Sequence, residues 1–331
     1  MRNRTTLVLP LILLAGLVGA PLVVDNNYFQ HVAVMIFLFA TLGIAWNFIG
    51  GYGAQLSLGH SAFLAIGAYA SVILLRTYNV TPLVGALVGA ALAAVAAVII
   101  GYPCFRLRGP YFTLSTIAFA EILRILLNHF TDFTGGAEGI PIPFRGQNLL
   151  NLQFYSKLPY YYISLGLLVA VFLLAWYIER SRLGYQLTAI REDQDAAESL
   201  GIRSYRVKLI TLVLSAVITA MVGTLYAVIV GYIDPASTAG QAMATEIAVV
   251  AIVGGIGTLW GPILGAAVVI SLTETTNALL GSTRGGASMV LYGLLLMVIV
   301  LVQPGGLISF FRRDRVPRRT APIAQGEVAG R

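Results

Sequence analysis

The chain has 331 residues, 58% of them hydrophobic and 11% charged, with 21 Lys and Arg against 14 Asp and Glu. Ordinary soluble domains hold roughly 45–50% apolar residues, and a soluble fold of this length has no interior large enough to hide the excess. The apolar residues come in blocks of about 18–25, close to the ~20 that a helix needs to cross a ~30 Å hydrocarbon core. Composition therefore requires a polytopic all-α membrane protein. A membrane β-barrel would need ~10-residue alternating segments, and LVGALVGAALAAVAAVII (83–100) does not alternate. The single Cys104 excludes an internal disulfide or a cysteine-rich metal site, and histidines scattered at 31, 60 and 129 point to no metal.

Ten apolar segments are predicted, at 7–24, 32–49, 56–75, 82–102, 111–130, 159–178, 207–231, 243–256, 259–280 and 287–308. The first follows MRNR, as a signal peptide would. Its apolar run nevertheless continues for 18 residues, and Pro21 directly follows the candidate cleavage site after Ala20, which favours an uncleaved helix. The eighth is short and ends in GGIGT (254–258), so short or broken helices are expected. Lys and Arg favour the cytoplasmic side. With ten spans and both termini inside, sixteen of these residues fall on the inner side and four on the outer, and Arg124 lies within a span. The same register places Trp46, Trp176 and Trp260 at inner helix ends, where amphipathic rings prefer the interface. Residues 1–310 then form the membrane domain and 311–331 a basic cytoplasmic tail. The outer connection 131–158, rich in Gly, Pro and Asn, reads as a folded loop. The inner connection 179–208 is different in character.

Within it, REDQDAAESLG (191–201) carries a charge at five of eleven positions. Residues 188–201 contain no proline and are mostly good or tolerable helix formers, and Gly201 suits a left-handed C-terminal stop. One helix is predicted over 188–201, with Ile190, Ala197 and Leu200 on a narrow apolar stripe. Small Ala196 and Ala197 leave room for a partner, and Arg191, Glu192, Asp193, Asp195 and Glu198 line the remainder. Such a short helix is marginal alone in water, so docking is expected.

The run AAESLG resembles the Ala-Ala-x-x-x-Gly core of the cytoplasmic loop in importer-type ABC permeases, with Asp195 where that loop often has Glu. The later I-x-L-P element is absent, since Thr211 and Val213 stand at the matching spacing. WNFIGGYGAQLSLGHSAFLAIGAYAS (46–71), RLRGPYFTLSTIAFAEILR (106–124), RLGYQLTAIREDQDAAESLGI (182–202) and VGGIGTLWGPILGA (253–266) follow in order. Together they resemble the high-affinity branched-chain amino acid ABC permease family, its "M" type subunit rather than the "H" type sister, over residues 30–308. The resemblance implies a multi-pass bacterial inner-membrane subunit paired with a homologous permease, two cytoplasmic ATPases and a periplasmic amino-acid-binding protein, with membrane lipid around it and no nucleic acid. It also implies that the chain is not an enzyme. No G-x-x-x-x-G-K-[ST] occurs in this sequence, so ATP and Mg would be bound by the partner ATPases. Arg191, Glu192, Asp195, Ala196, Ala197, Glu198, Leu200 and Gly201 then read as an ATPase-coupling helix.

GGYGAQLSLG (50–59) and GGIGTLWGPILG (254–265) share G-G-x-G, each at the inner start of an apolar segment. Gly50, Gly51, Gly53, Gly254, Gly255 and Gly257 are expected either to break helices along a pathway or to let helices pack closely. Glu121, Arg124, Glu246 and Glu274 fall within spans, where a central charge costs roughly 2.5–3.5 kcal/mol, so each should face protein or water. Glu121 and Arg124 are three apart and can pair. Gln55 and His60 are further pathway candidates. Import of urea or short amides by the same machinery stays open. So does an ion-coupled secondary transporter using Glu121, Glu246 and Glu274.

Overall fold

A computed structural model describes residues 15–21, 26–107, 109–148, 150–280 and 305–310, with 290, 293, 294 and 297 as isolated positions. Eight of the predicted segments coincide with helices among these residues. They are α1 (Asn27–Asn47, prolonged by a π-turn over Phe48–Tyr52), α2 (His60–Tyr78), α3 (Pro82–Cys104) and α4 (Pro110–His129) in the first half. A short α5 (Thr131–Thr134) and strand β1 (Ile140–Pro141) precede α6 (Leu158–Glu179), and two loop helices, α7 (Arg182–Glu192) and α8 (Gln194–Ser199), lead into α9 (Ser204–Val230). Strand β2 (Tyr232–Ile233), α10 (Pro235–Ala239), α11 (Gln241–Gly255) and α12 (Gly261–Leu280) complete the order. Most of segment 287–308, most of 7–24, Arg108 and the tail 311–331 lie outside the described residues. Residues 15–21 are helical, and the Tyr161 hydroxyl of α6 donates to the Leu17 carbonyl at 2.6 Å.

Six helices among the described residues are long and apolar enough to cross a membrane, namely α1 with its π-turn, α2, α3, α4, α6 and α9. Helix α11, at 15 residues, is only about 22 Å long at 1.5 Å per residue, too short to span alone, as GGIGT at its end foreshadowed. The chain is a polytopic helical membrane protein.

Helix α1 is the pillar. Its most apolar stretch is 89% buried, against 17% for α4 at the periphery. Helices α6, α9, α11 and α12 pack on it, and α9 also packs along α2 and α3. The α2–α3–α9 contact depends on small residues. A methyl group at Gly67 would overlap the Ala220 carbonyl oxygen, and one at Gly89 would lie 2.9 Å from the Gly67 Cα. Membrane helices lack a hydrophobic drive toward one another, so backbone approach of this kind holds them through van der Waals contact.

The fold is mostly helical, with one two-residue ladder in which the folded loop after α4 pairs β1 with β2 antiparallel, Ile140 opposite Ile233, tying that loop to the end of α9. One expectation is corrected. Trp46 is not interfacial. It is fully buried, its indole N–H donating to the Ser57 carbonyl at 2.7 Å, because residues 54–59 fold back over it. Trp176 and Trp260 do stay partly exposed, Trp176 under the Arg180 guanidinium and Trp260 against Phe172.

Candidate functional site

The bundle has two distinct ends. One carries the folded 131–157 loop, the "loop end"; the other carries the glycine breaks and α7–α8, the "break end". At the break end the sequence 188–201 does not form one helix. Asp193 is extended (φ −157°, ψ 112°) and its Oδ1 accepts from the N–H groups of Asp195 (2.9 Å) and Ala196 (3.0 Å), starting α8 afresh. An Asp ahead of a helix competes for exactly-placed orphan donors better than it propagates a helix. Helix α8 ends as expected at Gly201, with φ +87°. Gly201 N–H donates to the Glu198 carbonyl (2.9 Å) and Ile202 N–H to that of Ala197 (3.1 Å), the paired bonds of a Schellman stop.

The restart at Asp193 changes which side chains are available. Leu187, Ile190, Ala197 and Val207 form a small buried core, and Lys208 Nζ donates to Gln194 Oε1 at 2.8 Å, fastening α8 to α9. Ala197 is 2% exposed, so its methyl packs against its own chain and is not open to a partner. Leu200 is 84% exposed and leaves the predicted stripe, since the stripe assumed unbroken helical phase. The exposed face therefore comprises Glu192, Asp195, Ala196, Glu198 and Leu200, with charge around one large apolar side chain. Arg191 points elsewhere. A methyl group at Gly257 would overlap its guanidinium, so its tip lies on the α11–α12 break.

Both G-G-x-G stretches close a helix rather than open one, Gly50 and Gly51 in the π-turn after α1 and Gly254 and Gly255 at the end of α11. The fold brings them together. Asn47 Oδ1 accepts from Gly257 N–H (2.8 Å) and Asn47 Nδ2 donates to the Thr258 carbonyl (2.9 Å). A methyl group at Gly51 would overlap Asn47 Oδ1 and lie 2.7 Å from the Gly257 nitrogen, and Gly257 itself has φ +70°. Gly53 follows the π-turn, its N–H bonded to the Phe48 carbonyl at 3.2 Å. Sequence reading missed Asn47, although a lone amide in an apolar run beside Gly-Gly was the available signal.

The polar residues of the spans separate into three kinds. His60 is fully buried, its Nδ1 3.1 Å from Ser57 Oγ and its Nε2 2.8 Å from Ser215 Oγ. Ser215 donates its own hydroxyl to the Ala45 carbonyl, so it accepts from Nε2–H, and Nδ1 accepts from Ser57. His60 thus joins α1, α2 and α9 and presents no surface to a passage. Gln55 lies half-buried in the returning segment, its N–H on the Ile49 carbonyl at 3.0 Å. Glu121 and Arg124 do pair, Arg124 Nε donating to Glu121 Oε2 at 2.9 Å with a second bond from Nη2 to Oε1, on an exposed face of α4. Glu246 and Glu274 line a common cavity at the loop end, between α1, α9, α11 and α12.

Helix breaks packed against each other, a short buried helix and polar groups inside the spans define a polytopic membrane protein of the transporter kind. The chain belongs to the family described as branched-chain amino acid transport system / permease component, whose model matches residues 28–300. It is 30% identical over 324 residues to the high-affinity branched-chain amino acid transport system permease protein LivM of Escherichia coli (strain K12), covering 90% of this chain and 73% of that protein. It is 25% identical over 285 residues to the permease protein LivH of Salmonella typhimurium, covering 82% of this chain and 91% of LivH. Among solved structures, PsaBC from Streptococcus pneumoniae in complex with Fab matches at a TM-score of 0.48 and 16% identity, over 90% of this chain and 99% of that one.

Proposed function

We propose that this chain is the membrane-embedded permease subunit of a binding-protein-dependent ABC importer, moving branched-chain amino acids across the bacterial inner membrane. Membership of the permease family over residues 28–300 carries this reading. The chain pairs with a homologous permease, and two cytoplasmic ATPase subunits hold ATP and Mg. A periplasmic protein supplies the amino acid. Both termini and 179–208 face the cytoplasm and 131–158 the periplasm, supported by sixteen Lys and Arg on one side against four on the other. The break end is then cytoplasmic. There α8, held by its Asp193 cap and its Gly201 stop, offers Leu200 and its acidic surround to an ATPase groove.

Reconstitution tests the reading. Proteoliposomes holding both permeases and both ATPases, with binding protein outside and ATP inside, should accumulate labelled leucine, isoleucine and valine. Excess urea should not compete. Uptake that persists without ATP hydrolysis, or that urea blocks and leucine does not, would overturn it.

A further inference from the structure

The cavity at the loop end has a volume of about 400 Å³, within the ~300–1,000 Å³ of small-molecule sites. Its walls are helical stripes. His31, Met35 and Phe39 recur every fourth residue on α1, and Ile270, Glu274 and Asn277 follow helical spacing on α12, so each helix turns one face to the same space. Met243 and Glu246 enter from the first turns of α11. Met35, Phe39, Met243 and Ile270 give the lining apolar surface, and the two carboxylates, His31 and Asn277 give it polar groups.

The two carboxylates have no cationic partner among the described lining residues. Among the described residues no Lys or Arg lines the cavity, and neither Glu246 nor Glu274 forms a hydrogen bond or ion pair. Intramembrane carboxylates are costly and persist where they face a partner charge, water or a passing ligand. Among the described residues none that lines the cavity is a Lys or Arg, so a ligand that brings a cation completes the site. Among the described residues no group of three or more His, Cys, Asp or Glu side chains is placed to hold a metal ion.

We propose that this cavity binds a small solute carrying a primary ammonium group on a short aliphatic chain, the ammonium held between Glu246 and Glu274. An ammonium has three donors to share between two carboxylates. The aliphatic chain lies against Met35, Phe39 and Met243, while His31 and Asn277 offer N–H donors to a carboxylate on the same solute. The inference rests on the proposed branched-chain amino acid substrate, which has all three parts. It also puts the site on the side of the membrane from which that substrate is delivered.

The complete assembly, both permeases with their ATPases in lipid nanodiscs, is labelled with a diazirine analogue of leucine and the adducts are mapped by mass spectrometry. Adducts are expected on the α1 and α11 peptides that hold Met35 and Met243, and at least tenfold fewer in the E246Q/E274Q pair. Excess leucine or isoamylamine should block them; 4-methylpentanoate, which lacks the ammonium, should not. Subunit co-purification and melting temperature verify that the variant has assembled, and the E246D/E274D pair, which keeps both charges, should restore labelling. Adducts confined to other helices, equal labelling of the Gln pair, or equal protection by the carboxylate would overturn the proposal. Leucine uptake by the unaltered assembly reports separately on the transport reading. Cavity labelling without leucine import sinks that reading and keeps the site, whereas leucine import with unchanged labelling of the Gln pair does the reverse.

Discussion

The paired helix breaks at one end of the bundle and the cavity at the other treat polar groups in opposite ways. At the break end every polar atom of Asn47 that faces the interior has a partner, Trp46 and His60 are hydrogen-bonded and fully buried, and Thr258 bridges α11 to α12 by accepting from Gly261 N–H at 3.1 Å and donating to the Gly255 carbonyl at 2.7 Å. At the loop end Glu246 and Glu274 share a cavity of about 400 Å³ and stay half-buried without a partner among the described residues. Unpaired groups in a low-dielectric interior are costly, and satisfied networks fix a unique geometry. The network around Asn47 is thus built to hold one arrangement of two interrupted helices, and the cavity to accept something from outside.

Removing Asn47 should break this contrast most severely. Asn47→Leu keeps the side-chain size and removes both bonds, leaving Gly257 N–H and the Thr258 carbonyl without their partner in a packed region. Each buried group left unsatisfied costs about 1–3 kcal/mol, so a loss of roughly 2–6 kcal/mol is expected for the two. It should appear as a lower melting temperature of the purified assembly and reduced abundance in membranes. A variant as stable as the parent would show that the two breaks are held by packing alone.

Gly257→Ala should be next. A left-handed φ of +70° costs a non-glycine residue on the order of 1–3 kcal/mol, and the added methyl also meets the Arg191 guanidinium. Arg191→Ala removes the overlap but not the strain. In a double-mutant cycle it should recover part of the Gly257→Ala loss, with a coupling of about 0.5 kcal/mol or more, as neighbouring sites show. Strict additivity of melting shifts would place Arg191 away from the break.

These targets differ in how far the sequence could reveal them. Helix positions were legible because a 20-residue apolar block has few alternatives in a membrane; 82–102 and 159–178 became Pro82–Cys104 and Leu158–Glu179. The Gly201 stop was legible for the same local reason, a glycine where a helix must end. The break at Asp193 was not, since REDQD holds no Gly or Pro to stop a helix and only the cap geometry separates α7 from α8. Propensity overrode a capping signal that was present. Burial of Trp46 depends on the return path of 54–59, and the meeting of His31, Glu246 and Glu274 depends on three helices distant in sequence. No local pattern encodes either.

Around α8 the contrast turns into a test of docking. Gly201→Asp meets open space but a φ of +87°, so it should cost about 1 kcal/mol through the Schellman stop and loosen α8 where the ATPase is proposed to bind. Leu200→Asp, at an 84% exposed position, should change stability by no more than about 0.5 kcal/mol. Both should reduce ATPase co-purification and uptake, and Leu200→Asp should do so without a change in melting temperature. Ala197→Trp should behave differently, lowering stability because Ala197 is packed against Leu187, Ile190 and Val207. Full ATPase retention in the Leu200 variant would remove α8 from the interface.

The smallest effect is expected at Glu121 and Arg124, which fall between the two cases by having a partner but no cover. Their bidentate pair lies on the exposed side of α4, with the side chains 47% and 33% accessible respectively. Exposed pairs contribute little when water screens them, yet the neighbouring Leu114, Ile122 and Ile125 on the same helix are also exposed and give that face the character of a membrane or protein contact. In such surroundings either charge alone is worse than none, because its partner's loss leaves it uncompensated. Glu121→Gln and Arg124→Gln should therefore each lower membrane abundance slightly, and the double variant should recover toward the parent. Quantitative immunoblotting of membranes, with leucine uptake normalised to protein level, reads the cycle. If the two single losses simply add, water reaches this face of α4 and the pair has no more consequence than one on a soluble helix.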